Sequence, residues 1–195
     1  RTQADGYGRP FGQSDRAQMW DEDVRPIWRR YAKLRTQLFP YIWSAAHEYR
    51  TTGIPIMRHL ALAYPDDRAA YAPEAEYEFL FGPDLLVAPV IEEGATTRTL
   101  YLPSGRWMNF WDATVYDEQS GAFTGVAGAP ELDGGRVITV DAPLEQIPLF
   151  VRVGTCLTLL PSEVDTLAEV GDVPGLIHLS DAAGLERTLG FGRRC

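Results

Sequence analysis

From Val24 to Tyr49 the apolar residues return every three or four positions: Val24, Ile27, Trp28, Tyr31, Leu34, Leu38, then Tyr41, Ile42, Ala45, Ala46 and Tyr49. That spacing predicts a helix with one buried face. Asp21, Glu22 and Asp23 precede it as capping and first-turn acids, and Pro26 falls early enough to be tolerated. Pro40 removes a backbone donor and clashes with the preceding turn, which predicts a kink or a division there. Gly53 is a natural stop. Ile54 to Leu60 is short and apolar with turn chemistry on both sides, the mark of a buried strand. Such an αβ unit leaves hydrophobic faces that need a sheet beside the strand and other helices beside the helix.

From Glu76 onward the runs are shorter. Tyr77–Phe81, Leu85–Val90, Arg98–Leu102, Trp107–Asn109, Arg136–Val140 and Leu149–Val153 are punctuated by Gly82-Pro83-Asp84, Pro103-Ser104-Gly105 and Asp133-Gly134-Gly135. Short strands separated by such turns predict an antiparallel β-sandwich. Tyr116 to Leu132 has small residues and little periodicity and is expected as a surface loop. Residues 1–18 are polar and Gly-rich, another loop. Residues 162–195 read as a tail or the start of a further β element, with Leu176–Leu179 and Arg187–Phe191 as its strand-like pieces.

The 195 residues allow one domain, or a small domain plus part of another. A formal charge of −9 argues against nucleic acid or an anionic membrane surface, both of which need a basic face. No apolar run approaches the roughly 18 residues of a membrane span: the longest, Ile147 to Leu160, is broken by Arg152 and Gly154. The sequence opens on Arg1-Thr2-Gln3 without a methionine or a secretory h-region, and reads as the remainder of something longer. Cys156 and Cys195 do not make a disulfide framework, which leans the expected compartment toward the cytoplasm. His47 and His178 stand without Cys or acidic residues at ligand spacing, so neither a metal nor another cofactor is expected.

Five blocks resemble glycoside hydrolase family 31 in the right order. Arg30-Tyr31 through Leu38-Phe39-Pro40-Tyr41-Ile42 is similar to its "RY…LLPYLY" helix. Gly53-Ile54-Pro55-Ile56-Met57-Arg58-His59-Leu60 is similar to its "G-x-P-[VI]-[MV]-R-P-L" strand, and Glu78 through Val90 to "QFMFGDSLLVAPV". Tyr101-Leu102-Pro103-Ser104-Gly105-Arg106-Trp107 resembles "YLPxGxWYD", and Ala142 to Gly154 resembles "APLxxIPLFVRxGxIIP". The resemblance implies an α+β fragment. Residues 1–63 would be the last helix and eighth strand of a (β/α)8 barrel, 64–73 a linker, and 74–161 an antiparallel β-sandwich. It also implies a retaining α-glycosidase of α-glucosidase type, working through two carboxylates and acting on an oligosaccharide or small α-glycoside. Both carboxylates would lie on strands before this chain, so the chain alone is expected to be inactive. A non-catalytic carbohydrate-binding or docking sandwich is the alternative.

The acidic clusters Asp21/Asp23, Asp66/Asp67 and Glu92/Glu93 sit at a helix start or in turns, where capping or solvation accounts for them. Many family members carry an R-x-H after the seventh strand whose His binds the sugar; here the run is Arg1-Thr2-Gln3, so Arg1 and Gln3 are candidate substrate contacts. Gln3 can donate and accept hydrogen bonds without carrying charge. Arg58 ends the expected eighth strand, where barrel active sites lie. It serves there either to orient carboxylates and sugar hydroxyls or to close the barrel through an ion pair. His59 replaces the family's usual Pro, so no role passes to it. Tyr101, Trp107, Phe110 and Trp111 read as core packing rather than as a sugar platform.

Overall fold

The computed structural model describes residues 21–167 and the backbone of residues 187–190. The helical pattern forms two helices, α1 (Arg25–Gln37) and α2 (Phe39–Thr52), divided at Leu38. Pro40 lies in the first turn of α2, where its missing donor has no helical partner to lose, so the break falls just ahead of the proline. No side chain caps α1; the Asp21 carbonyl instead accepts from the Val24 and Arg25 amides at 3.2 and 2.9 Å. Of the acids expected to cap that helix, Asp21 therefore serves through its backbone carbonyl. Gly53 ends α2 in the left-handed region, its amide reaching the Tyr49 carbonyl at 2.8 Å.

The expected strand over Ile54–Leu60 narrows to β1 (Met57–His59), followed at once by a helical turn, α3 (Leu60–Ala63). Two 3-10 turns, Arg68–Tyr71 and Pro73–Ala75, cross the segment expected as a linker. Then come β2 (Phe79–Phe81), β3 (Leu85–Val87), β4 (Thr97–Leu102), β5 (Arg106–Asn109), the turn α4 (Phe110–Ala113), β6 (Thr114–Tyr116) and β7 (Phe123–Gly125). The remainder are β8 (Leu132–Asp133), β9 (Arg136–Asp141), β10 (Leu149–Arg152), β11 (Cys156–Leu159) and β12 (Arg187–Gly190). The expected loop from Tyr116 to Leu132 is a correction. Its centre, β7, pairs with β6 and sends Phe123 into the core, and one buried aromatic outweighs the weak local periodicity.

Six strands form one sheet in the order β1-β2-β3-β10-β5-β8, with antiparallel neighbours throughout. β4 and β9, β6 and β7, and β11 and β12 form separate pairs. The six-stranded sheet is buried on both faces, which is why its central strands read Leu-Leu-Val and Leu-Phe-Val without polar alternation. On one face Leu85, Met108, Leu149 and Val151 meet Leu34 and Leu38 of the helices, Phe110, Phe123 and β11. On the other, Leu80, Leu86, Trp107 and Phe150 meet Leu100, Tyr101 and Leu102 of β4 and the alanines of the 3-10 turns. Each fully buried Leu or Phe contributes about 1.5–3 kcal/mol.

The helices were expected to need cover from elsewhere. Their inner face is in fact closed by this chain's own sheet, because Leu34, Leu38 and Tyr41 line up along the seam between α1 and α2. Trp28, Trp43 and Tyr49 of the same apolar pattern remain exposed. Cys156 is disulfide-bonded, a bond that composition alone did not reveal. The fold is thus α+β with antiparallel sheets.

Candidate functional site

Of the side chains singled out in the sequence, Arg58 lies where α2, β1 and the β2–β3 turn meet, and the structure brings Glu48, Asp84 and Arg152 there with it. β1 alternates, so Arg58 turns inward while Met57 and His59 face out. The Arg58 side chain is 7% exposed, and a buried guanidinium needs partners for its donors. It donates from Nε to the Pro55 carbonyl at 2.9 Å and from Nη2 to the Glu48 carboxylate on α2. Within this chain Arg58 is thus ion-paired to Glu48. His59 uses Nδ1 to accept from the Ala61 amide at 3.1 Å, capping α3.

A second pair lies across the turn. Arg152, at the end of β10, stands 3.6 Å from the Asp84 carboxylate. It donates to the Tyr64 hydroxyl at 2.5 Å, and its guanidinium lies 4.9 Å from the Trp107 ring centroid. Burial pushes the Asp84 carboxyl above the ordinary carboxylate value, while Arg152 and the Thr155 hydroxyl pull it back. Tyr41 locks the turn itself. Its hydroxyl donates to the Phe81 carbonyl at 2.7 Å and accepts from the Asp84 amide at 3.0 Å. Gly82 lies beneath that ring at φ 66°, where a Cβ would come within 2.4 Å of the Tyr41 hydroxyl. Only glycine fits both the backbone angle and the close approach.

Two cavities flank the turn and share Pro83. One, of about 320 Å³, is lined by Ile54, Arg58, Leu62, Tyr64, Leu80 and Arg152 among others. The other, of about 280 Å³, is lined by Tyr41, Ser44, Glu48, Asp84, Cys156 and Thr158 among others. Glu48 and Asp84 therefore line one pocket, but each is engaged by an arginine in an ion pair. Asp67, another acidic candidate, accepts from the Ala69 amide at 3.0 Å and from the Tyr101 hydroxyl at 2.6 Å.

Arg1 and Gln3 lie outside the described residues, as do His178 and Cys195. Glu92 and Glu93 are exposed in a turn. Trp107, Phe110 and Tyr101 are buried, and Trp111 is half-buried with its indole donating to the Ile147 carbonyl at 2.7 Å. Sequence reasoning missed Glu48, Asp84 and Arg152 as partners. The signal available for Arg152 was a lone charge inside an apolar strand. Among the described residues no helix is long and apolar enough to cross a membrane, and no group of three or more His, Cys, Asp or Glu could hold a metal ion.

Comparison with known proteins places this geometry. Residues 53–157 match the glycosyl hydrolase family 31 C-terminal domain. An α-glucosidase 2 from Bacillus thermoamyloliquefaciens is 30% identical over 167 residues, covering 86% of this chain and 19% of the relative. An α-xylosidase from Saccharolobus solfataricus is 36% identical over 145 residues, covering 74% of this chain and 17% of the relative. Among solved structures, the family 31 dextranase of Flavobacterium johnsoniae in complex with isomaltotriose aligns with a TM-score of 0.63 at 36% identity, over 77% of this chain and 16% of that one. The chain thus spans less than a fifth of the length of these relatives. It belongs to glycosyl hydrolase family 31, of which residues 53–157 form the C-terminal domain.

Proposed function

We propose that this chain is the C-terminal portion of a retaining α-glycoside hydrolase of α-glucosidase type. The two catalytic carboxylates would be supplied by residues preceding it in a longer polypeptide. The observation that carries this reading is the match of residues 53–157 to the family's C-terminal domain, in a chain that spans 19% or less of its relatives. The geometry adds support. β1 has β2 on one side, and among the described residues no strand occupies the other. Beside that open edge Ile54, Met57 and Leu62 are exposed. This is the place where the rest of a (β/α)8 barrel would add its strands, which makes residues 1–63 the barrel's closing segment and 74–161 its supporting sandwich.

The substrate of the intact enzyme is an oligosaccharide or small α-glycoside. Arg1 and Gln3 contact the sugar, Gln3 by neutral hydrogen bonds. Arg58 orients the strand end through Glu48. In this role the chain is a scaffold that presents and braces one wall of the site.

The test compares turnover of aryl α-glucoside, α-xyloside and α-galactoside by the 195-residue chain and by the full-length polypeptide that contains it. The full-length protein is expected to cleave at least one, and the chain alone none. Cleavage by the chain alone that is lost on mutating one of its own residues would overturn the proposal, as would a full-length protein inert toward all three.

A further inference from the structure

Glu78 stands away from this seam, between the 3-10 turn Pro73–Ala75 and β2, and nothing above gives it a task. It is 2% exposed. One carboxyl oxygen accepts from the Tyr101 amide of β4 at 2.7 Å, tying the six-stranded sheet to the β4–β9 pair. Its other oxygen, Oε2, has no hydrogen-bond partner among the described residues. Arg98, on the same strand as Tyr101, acts on it by charge, yet Arg98 Nε and Nη2 are themselves buried without partners among the described residues. An acid and a base are thus buried near each other, and those donors do not reach the acid.

We propose that Glu78 is a proton-dependent latch between the two sheets, closed when its carboxyl is neutral and strained when it ionises. A buried carboxylate with one hydrogen bond and no paired cation is disfavoured, whereas the neutral acid needs no counter-charge. The surroundings agree in direction. Burial pushes the Glu78 carboxyl up to about 7, against the Tyr101 amide and the Arg98 charge, which lower it. The other titratable groups nearby do little to help the anion. Tyr101 donates its hydroxyl to Asp67, and burial followed by that bond raises the phenol to about 12, so it stays neutral. Tyr64 also acts on Tyr101 by charge, and β2 and β3 carry no titratable side chain. On the neighbouring elements Glu74 and Asp141 are exposed to solvent.

The sign follows from linkage. The folded carboxyl binds its proton more tightly than the unfolded one, so the folded state holds the extra proton between about pH 4.5 and 7. Stability is greatest below that window and falls as pH rises through it. Integrated from pH 5 to 8, the shift lowers the folding equilibrium constant by roughly 50- to 100-fold.

The experiment measures urea unfolding of the 195-residue chain and of Glu78→Gln at pH 5, 6, 7 and 8. The ratio of folding constants, variant over parent, is expected to rise roughly 50- to 100-fold from pH 5 to pH 8. Any cost of the amide common to all pH values cancels in that comparison. A ratio that stays flat with pH overturns the proposal. Carbon-13 NMR titration of the Glu78 carboxyl in the parent chain needs no variant. A midpoint near 7 supports the latch, and one in the ordinary range near 4.5 sinks it even if the variant fails to fold. Neither readout involves glycoside turnover, so this inference stands or falls apart from the assignment as a hydrolase.

Discussion

Glu48 and Arg58 differ in how well each could do without the other. The Glu48 carboxylate is one-third exposed and can turn to water, whereas the Arg58 guanidinium is held inside by β1. Removing the acid therefore leaves a buried cation whose remaining hydrogen bond among the described residues is to the Pro55 carbonyl. Glu48→Ala is expected to cost about 2–4 kcal/mol in urea unfolding, the scale of a broken buried pair. Glu118→Ala, which breaks an exposed pair with Arg30, is expected to cost less than about 1 kcal/mol. Equal costs for the two would mean that Arg58 finds solvent by a route the structure does not show. The same contrast explains why Arg58 was ambiguous in the sequence: its partner Glu48 sits on another element, ten positions back, and no spacing rule points to it.

At the scale of elements, α2 grips the β2–β3 hairpin through one phenol over one glycine. Tyr41→Phe removes both turn hydrogen bonds and keeps the ring, for an expected loss of about 1–2 kcal/mol. Gly82→Ala must relieve both a positive φ and a Cβ driven into that ring, and is expected to cost more than Tyr41→Phe. Denaturant midpoints of the two variants decide it; a harmless Gly82→Ala would mean that α2 is not seated on the turn. Much of this layer was legible in advance. The period of three to four gave α1 and α2, Gly53 gave the stop, and the turn triplets gave the breaks between β2 and β3, between β4 and β5, and before β9. What was not legible was long-range. β6–β7 carries too little apolar pattern to announce itself, and what seats it is Phe123 meeting Phe110 across the core and Tyr116 across the hairpin. The helix break at Leu38 instead of Pro40 reflects how readily a proline is accepted in a first turn. Of the candidate site, the sequence offered Arg58 as a strand-end charge with two possible uses, and the structure shows it buried within β1 beside Glu48. The two acids beside it gave no local sign.

At the scale of the molecule, the helices and the sheet share one core, so they should not melt separately. Unfolding followed by far-UV circular dichroism, which reports α1 and α2, and by fluorescence of a variant that keeps Trp107 as its one tryptophan is expected to give coincident transitions. An earlier helical transition would show the helices to be only loosely docked. The position of β10 has a consequence for how the chain is made. It lies in the middle of the sheet, between β3 and β5, yet follows both in the sequence by some distance. While a ribosome is still delivering Leu149–Arg152, the β2–β3 hairpin and β5 have no common neighbour in the sheet, and Leu85, Leu86 and Met108 lack Leu149, Phe150 and Val151 beside them. Closing the gap demands contacts of long sequence separation, the slow kind. A growing chain therefore carries sticky, half-built strands until almost all of its residues from 21 to 152 have emerged, and this interval is when a chaperone would have most to do.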